Sequence, residues 1–202
     1  MKKLILSICT IGLMISPAFA GTWIAADRVA PVSEVIVKKN SLPANLTFKV
    51  VNGEADNSTT STTNIVQISS TDLTYAGNDN EVAAVISTEL GQIINGKSTK
   101  EKFRAVAKTA IKEKFSEANL LNTAANSEYI NKRTNLNDFK LADLTGVDLM
   151  INAGYNPLAM VVVITKMPGS SLEIVMGKPA NSERAMNIYN YLSYNYADKV
   201  KV

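Results

Sequence analysis

The fold of this chain is decided by residues 85–94, which read VISTELGQII. In and before this stretch, apolar side chains recur at the spacing of one face of an α-helix: Val82, Val85, Ile86, Leu90 and Ile93. Among the polar residues of the stretch, Thr88 and Gln92 lie about one helical turn apart, and Glu89 follows Thr88. The pattern therefore predicts an amphipathic helix of about four turns that ends near Asn95.

Short strands are predicted before this helix and further helices around it. Residues 46–51 and 64–69 alternate between apolar and polar side chains, as half-buried strands do, and Asn52-Gly53 signals a turn after the first. The polar residues between the strands, 54–63, are expected to form a mobile loop. Further helices are expected at residues 32–39, 100–121, 136–153 (with Gly154 as its C-cap), 158–167 and 182–197. The predicted fold class is α+β: mainly helical, with a small β-sheet beside the helix that contains Glu89.

The N-terminus has the composition of a secretory signal peptide. Lys2 and Lys3 precede an apolar run over residues 4–15, and Ala18-Phe19-Ala20 forms a small-x-small cleavage site. The apolar run is shorter than the roughly 20 residues that a spanning helix needs. We therefore expect a signal peptide at residues 1–20, a single domain at residues 21–202, no stable membrane anchor after cleavage, and secretion, most simply into a bacterial periplasm.

The composition excludes several classes of site. The chain has no histidine, and its one cysteine, Cys9, lies in the expected signal peptide. A mature chain without cysteine has no disulfide and no thiolate metal site. Two of the basic residues behind the formal net charge of +3 are Lys2 and Lys3, which leave with the signal peptide. The mature domain is thus close to neutral, and we expect no nucleic-acid partner.

Three blocks of the chain follow one another in a familiar order: residues 85–94, residues 141–157 (LADLTGVDLMINAGYNP) and residues 178–184 (KPANSER). Together they resemble the HExxH zinc metallopeptidase (gluzincin) family that includes CaaX-prenyl endopeptidases and secreted bacterial chaperone-proteases. The first block is similar to the family's zinc-binding helix, in which two histidines one turn apart flank a glutamate. The second resembles the segment whose Glu-Ala-Asp trio supplies the third ligand, and the third resembles the His-Pro…Glu-Arg block that opens the C-terminal helix. The resemblance covers about residues 46–192 and implies a zincin-like domain.

The chain departs from the family pattern at every ligand position. The family's three zinc ligands fall on Thr88, Gln92 and Leu141, and Lys178 replaces the histidine of the C-terminal block. Catalytic zinc needs three protein ligands and an open position for water. A hydroxyl and a carboxamide bind zinc far more weakly than imidazole does, and a leucine side chain does not bind it. The resemblance therefore implies that the zinc site is lost, leaving no metal site and no cofactor.

The remaining polar positions imply a vestigial cleft. Glu89 occupies the general-base position, which has no activated water to serve without zinc. In the family Asp143 orients a zinc-bound imidazole, and here we expect it to hydrogen-bond Thr88 or Gln92. We expect Arg184 to form an ion pair with Glu89 or Asp143. The positions expected to bind a partner in this cleft are Thr88, Gln92, Asp143, Lys178 and Arg184.

These features favour a pseudopeptidase, a metallopeptidase-like protein of the cell envelope that holds an as yet unidentified envelope protein or peptide without cleaving it. The alternative is a metalloendopeptidase that is still active through an atypical site with oxygen ligands. A third reading is a structural or chaperone-like protein whose cleft has filled. In that case Glu89→Ala and Asp143→Ala would leave binding unchanged.

Overall fold

The computed structural model describes residues 23–57, 63–95, 138–169 and 179–200. The expected signal peptide, the expected helix at residues 100–121, and Lys178 lie outside these residues. The described part is mainly helical with one small sheet, which confirms the predicted α+β class. Its elements in chain order are α1 (Ala25–Lys39), β1 (Thr47–Val51), β2 (Ile65–Ser69), α2 (Ser70–Leu73), α3 (Asp79–Asn95), α4 (Asp138–Ala153), α5 (Leu158–Lys166), α6 (Asn181–Asn195) and α7 (Ala197–Val200).

The sheet consists, in the described ranges, of β1 and β2 paired in parallel, with Thr47 opposite Ile65. Gly53 has a φ of +84°, so the turn predicted after β1 is present. On β2, Val66 and Ile68 are fully buried and the strand packs on α3. Alternate residues of a strand face opposite sides, so Val66 and Ile68 share one face of β2, and this face packs against the helical core. The sheet therefore lies beside α3, as predicted.

Helix α3 begins with two reciprocal side-chain hydrogen bonds similar to a capping box. The side-chain oxygen of Asn78 accepts a hydrogen bond from the Glu81 main-chain N–H at 3.1 Å, and Glu81 Oε2 accepts one from Gly77 N–H at 2.8 Å. Lys166 of α5 also donates to Glu81 Oε2, at 2.8 Å. Burial alone would raise the pKa of Glu81, but the hydrogen bonds and charge of these partners hold it below its usual value. The start of α3 is thereby fixed and tied to α5.

Helix α3 is the centre of the core. It packs against α1, α4, α5 and β2. Because it has neighbours on several sides, Ala83 and Ala84 are buried as well as the predicted apolar stripe. Each fully buried aliphatic side chain contributes roughly 1.5–3 kcal/mol relative to exposure. All members of the predicted stripe are buried: Val82, Val85, Ile86, Leu90 and Ile93.

Helices α3 and α4 cross in backbone contact through two glycines. A Cβ atom on Gly91 would lie 2.1 Å from the Ala142 carbonyl oxygen, and one on Gly146 would lie 2.6 Å from the Ser87 carbonyl oxygen. No side chain fits at either position, since real Cβ contacts are much longer. The crossing therefore brings the turn that contains Glu89 against the first half of α4.

Helix α1 begins earlier than predicted, which corrects the expected range of residues 32–39. It starts at Ala25 and contains Pro31 in its interior, although proline lacks the N–H for one helical hydrogen bond. Burial of an apolar stripe offsets that loss, and Arg28 holds the first half of the helix to α3 through Asp79, with two contacts of 2.8 Å. The buried stripe consists of Val29, Val32 and Ile36.

Helix α4 ends as predicted at Gly154, whose φ is +84°. The Gly154 N–H donates to the Ile151 carbonyl at 3.0 Å, and the Tyr155 N–H donates to the Met150 carbonyl at 2.9 Å. These two bonds form a Schellman motif, which satisfies the last carbonyls of the helix. The predicted C-cap is confirmed.

Helix α5 matches the apolar helix expected at residues 158–167 and stops before Pro168. Val163 and Ile164 are buried in the core, whereas Val162 is 40% exposed. None of the helices in the described ranges has the length and apolarity to cross a membrane.

Candidate functional site

The three positions on which the family's zinc ligands would fall lie at or beside the crossing of α3 and α4. Thr88 and Gln92 are on α3, and Leu141 precedes Ala142, whose carbonyl contacts Gly91. The Thr88 hydroxyl donates to the Ala84 carbonyl at 3.0 Å, within its own helix. Gln92 has a half-buried neutral carboxamide, and Leu141 has a hydrocarbon side chain. These two groups and the already bonded Thr88 hydroxyl do not form a zinc ligand set. The donors present at these positions therefore do not fit zinc.

Glu89 is part of a hydrogen-bonded network. Its side chain lies on α3 with only 9% of the residue exposed. Its Oε2 atom accepts a hydrogen bond from Asn57 Nδ2 at 2.7 Å. A buried carboxylate is costly unless it is hydrogen-bonded, and a bond to a charged group contributes about 1.5–3 kcal/mol. Asn57 thus satisfies one oxygen of the buried Glu89 carboxyl group beside the sheet.

Asn57 also joins Glu89 to strand β2. Its Oδ1 atom accepts a hydrogen bond from the Gln67 main-chain N–H at 2.7 Å, and its Nδ2 donates to the Gln67 carbonyl at 3.1 Å. The Gln67 side chain accepts a further bond from the Asp56 main-chain N–H at 3.2 Å. The loop predicted at residues 54–63 is thus bonded to β2 at Asp56 and Asn57, and its mobility stays a prediction.

The bonds of Gln67 define the outer edge of β2, the side of the strand that faces away from β1. In a parallel pair the N–H and C=O of one residue point to the same side, and successive residues alternate. The Asn64 carbonyl accepts from Thr47 N–H at the start of β1, so Asn64 points toward β1. By alternation, Gln67 points away from β1. Both of its main-chain groups are therefore on the outer edge, where Asn57 binds them.

Asp143 and Arg184 form a buried ion pair between α4 and α6. The guanidinium contacts both carboxylate oxygens, with Nε–Oδ2 at 2.8 Å and Nη2–Oδ1 at 2.7 Å. The side chains are 1% and 4% exposed, respectively. Arginine and carboxylate are matched in shape for such a two-bond contact. This pair fixes the start of α6 against the α3–α4 crossing.

The predictions for these polar residues have mixed outcomes. The ion pair of Arg184 with Asp143 is confirmed. The predicted hydrogen bond between Asp143 and Thr88 or Gln92 is wrong: the Asp143 carboxylate accepts from Arg184 at both oxygens, and the Thr88 hydroxyl donates within its own helix. Lys178 lies outside the described residues, and the vestigial cleft as a binding site stays a prediction.

Sequence reasoning missed Asn57 and Gln67. Asn57 stands in a tract of similar polar residues, and nothing in its local pattern distinguishes it from its neighbours. Its contact with Glu89 joins residues 32 positions apart. Gln67 was placed correctly in a strand, but the strand pattern alone does not reveal what pairs with its outer edge.

Within residues 23–57, 63–95, 138–169 and 179–200, no group of three or more histidine, cysteine, aspartate or glutamate side chains is arranged to hold a metal ion. Comparison of the chain with protein-family models, with curated proteins and with solved structures found no match.

Proposed function

We propose that this protein is a secreted pseudopeptidase of the cell envelope, a metallopeptidase-like domain that holds an extended protein or peptide segment without hydrolysing it. The observation that carries the proposal is the position of Glu89. The Asn57 side chain hydrogen-bonds both the buried Glu89 side chain and the Gln67 main-chain N–H on the outer edge of β2, so a single side chain links the two. Strand edges are surfaces to which peptide main chains add, and a carboxyl group beside such an edge adds a hydrogen-bond acceptor.

The chemistry of the neighbouring positions supports binding rather than hydrolysis. Thr88 and Leu141 offer no zinc ligand, and zinc-activated water is what a glutamate in the position of Glu89 would act on. The elements that would shape a peptide site are nevertheless held rigidly. The Gly91–Gly146 crossing fixes α4 against the helix that carries Glu89, and the buried Asp143–Arg184 pair fixes α6 to α4.

An experiment with fluorescein-labelled casein, an unfolded protein rich in extended segments, tests this function. The mature chain, residues 21–202, is titrated against it, and anisotropy reports both binding and cleavage. We expect a saturable rise in anisotropy, no slow fall that would indicate cleavage, and no effect of EDTA. Glu89→Gln is expected to weaken binding because it removes the acceptor charge.

Two results contradict the proposal. Cleavage that EDTA abolishes and Glu89→Gln removes would establish the metalloendopeptidase alternative. Absence of binding, or binding that neither Glu89→Gln nor Asp143→Ala alters, would favour the structural reading. Asn52→Ala is a matched control, because Asn52 is an exposed turn residue of the same β1–β2 connection.

A further inference from the structure

Strand β1 has an outer edge of its own, on the side that faces away from β2. The Thr47 N–H donates to the Asn64 carbonyl, so the main-chain groups of Thr47 point toward β2. Because successive residues of a parallel strand alternate, Lys49 also points toward β2, whereas the main-chain groups of Phe48 and Val50 point away from it. The outer edge of β1 is therefore formed by the N–H and C=O groups of these two residues.

The main-chain groups at this edge are unpaired in the part of the chain that the structure describes. No hydrogen bond there reaches the N–H or the C=O of Phe48 or Val50 on this side. Unpaired groups at a strand edge are a template for pairing with another extended segment. Two features that commonly blunt an edge are missing, since β1 contains no proline and keeps an unbroken register with β2 over its 5 residues. The edge can therefore accept one more strand.

The core side of β1 indicates which side chains that strand must carry. The register places Phe48 beside Val66, and it places Val50 beside Ile68. The two side chains of β2 are fully buried, whereas the two of β1 are only partly buried although they pack against the same core. Residues that face each other across an antiparallel pair share one face of the sheet. Apolar side chains opposite Phe48 and Val50 would therefore cover apolar surface that β1 leaves exposed.

The other face of β1 carries a charge without an ion-pair partner. The Lys49 side chain is exposed, and no carboxylate of the described residues forms an ion pair with it. In an antiparallel addition centred on Lys49, the facing residue belongs to a non-hydrogen-bonded pair, in which side chains approach most closely. An acidic side chain there would pair with the lysine. A second copy of β1 in this register would place two lysines opposite each other, which is unfavourable, and edge lysines guard against such self-pairing.

We propose that the outer edge of β1 is a docking site for an extended peptide segment with the pattern apolar–acidic–apolar. The segment adds antiparallel to β1, and its two apolar residues exchange main-chain hydrogen bonds with Val50 and Phe48. Its acidic residue faces Lys49. This inference goes beyond the function proposed above and does not depend on it, because that function concerns the opposite edge of the sheet, near Glu89.

The test uses two capped, fluorescein-labelled pentapeptides, Thr-Val-Glu-Val-Thr and Thr-Val-Lys-Val-Thr. Dissociation constants are measured by anisotropy for the mature wild-type chain, for Lys49→Glu and for the control Lys199→Glu, which makes the same charge change at an exposed lysine of α7. Wild type and the control should bind the glutamate peptide about fivefold more tightly than the lysine peptide, whereas Lys49→Glu should prefer the lysine peptide. Absence of binding, or a preference that Lys49→Glu does not change, would overturn the inference.

A second variant tests the main-chain bonds at the edge. Proline in place of Val50 removes the outward N–H and leaves the hydrogen bonds between β1 and β2 in place, and edge strands tolerate proline at such positions. Val50→Pro should therefore weaken binding of the glutamate peptide at least about fivefold. A variant that keeps the wild-type circular dichroism spectrum and the wild-type affinity would contradict strand addition at this edge.

Hydrogen exchange of the wild-type chain gives a readout that needs no substitution. The Phe48 and Val50 amides should exchange rapidly in the free protein and slowly at saturating glutamate peptide. Unchanged exchange would overturn the inference, and so would protection that grows with protein concentration without peptide, because a second copy would then occupy the edge. The proposed function is tested separately, by the effect of Glu89→Gln on casein binding, so the failure of one leaves the other in place.

Discussion

Replacing Arg184 with methionine is expected to lower the free energy of unfolding by about 3–5 kcal/mol, because it leaves the Asp143 carboxylate buried and unpaired. The magnitude follows from burial and geometry. The Asp143 and Arg184 side chains are 1% and 4% exposed, and the guanidinium bonds both carboxylate oxygens. For a chain of this size, the melting temperature should fall by about 6–20 °C.

The assay is urea unfolding followed by circular dichroism, for Arg184→Met, Asp143→Leu and the double variant. Each single variant leaves one buried charge, whereas the double variant removes both. The double variant should therefore lose less stability than either single variant. A folded double variant beside an unfolded single variant would support the same reasoning. Losses below about 1 kcal/mol, typical of exposed pairs, or strictly additive losses would refute it.

Three other changes have defined outcomes. Gly91→Ala should cost at least about 2–3 kcal/mol, because its Cβ would lie 2.1 Å from the Ala142 carbonyl oxygen; unchanged urea unfolding would contradict the crossing. The hydrogen bond from Arg28 lowers the pKa of Asp79 below its ordinary value of 3.8. The Arg28–Asp79 pair therefore stabilises the fold above pH 3.8, and this stabilisation is lost as the pH falls through the lowered pKa. The stability difference between wild type and Asp79→Asn should vanish over that range; a difference independent of pH would contradict it. Ser41→Gly should raise stability by about 1 kcal/mol, because Ser41 has a φ of +52°; a loss on thermal unfolding would contradict this.

The features that were predictable from sequence are those set by local spacing. The stripe that contains Val85, Ile86 and Leu90 repeats at helical spacing, and all its members are buried in α3. Gly154 follows an apolar helix and has a φ of +84°. Glycine is the residue type that adopts this φ without strain, so the end of α4 was predictable too.

The features that were missed depend on contacts distant in sequence. Pro31 is a strong local signal for a helix start, but burial of Val29 and Val32 overrides it and extends α1 back to Ala25. The sequence offers several polar residues as partners of Asp143 and does not distinguish among them. The packing of α6 brings Arg184 against the Asp143 carboxylate. The bridge from Gln67 through Asn57 to Glu89 has no local signature at all.

A designed zinc site tests the central claim, that the α3–α4 crossing has the arrangement of a metallopeptidase centre without its ligands. The triple variant Thr88→His, Gln92→His and Leu141→Glu supplies the ligand types that the family uses. Its zinc content is measured by elemental analysis after incubation with zinc and dialysis, beside wild type and the variant with only the two histidine substitutions.

We expect about one zinc per chain in the triple variant, less in the two-histidine variant and negligible zinc in wild type. At zinc concentrations 100-fold above the dissociation constant, binding should also stabilise the triple variant by about 2.7 kcal/mol. A triple variant that folds but retains no more zinc than wild type would contradict the metallopeptidase-like arrangement. About one zinc in wild type, lost in Glu89→Ala, would contradict the loss of the metal site.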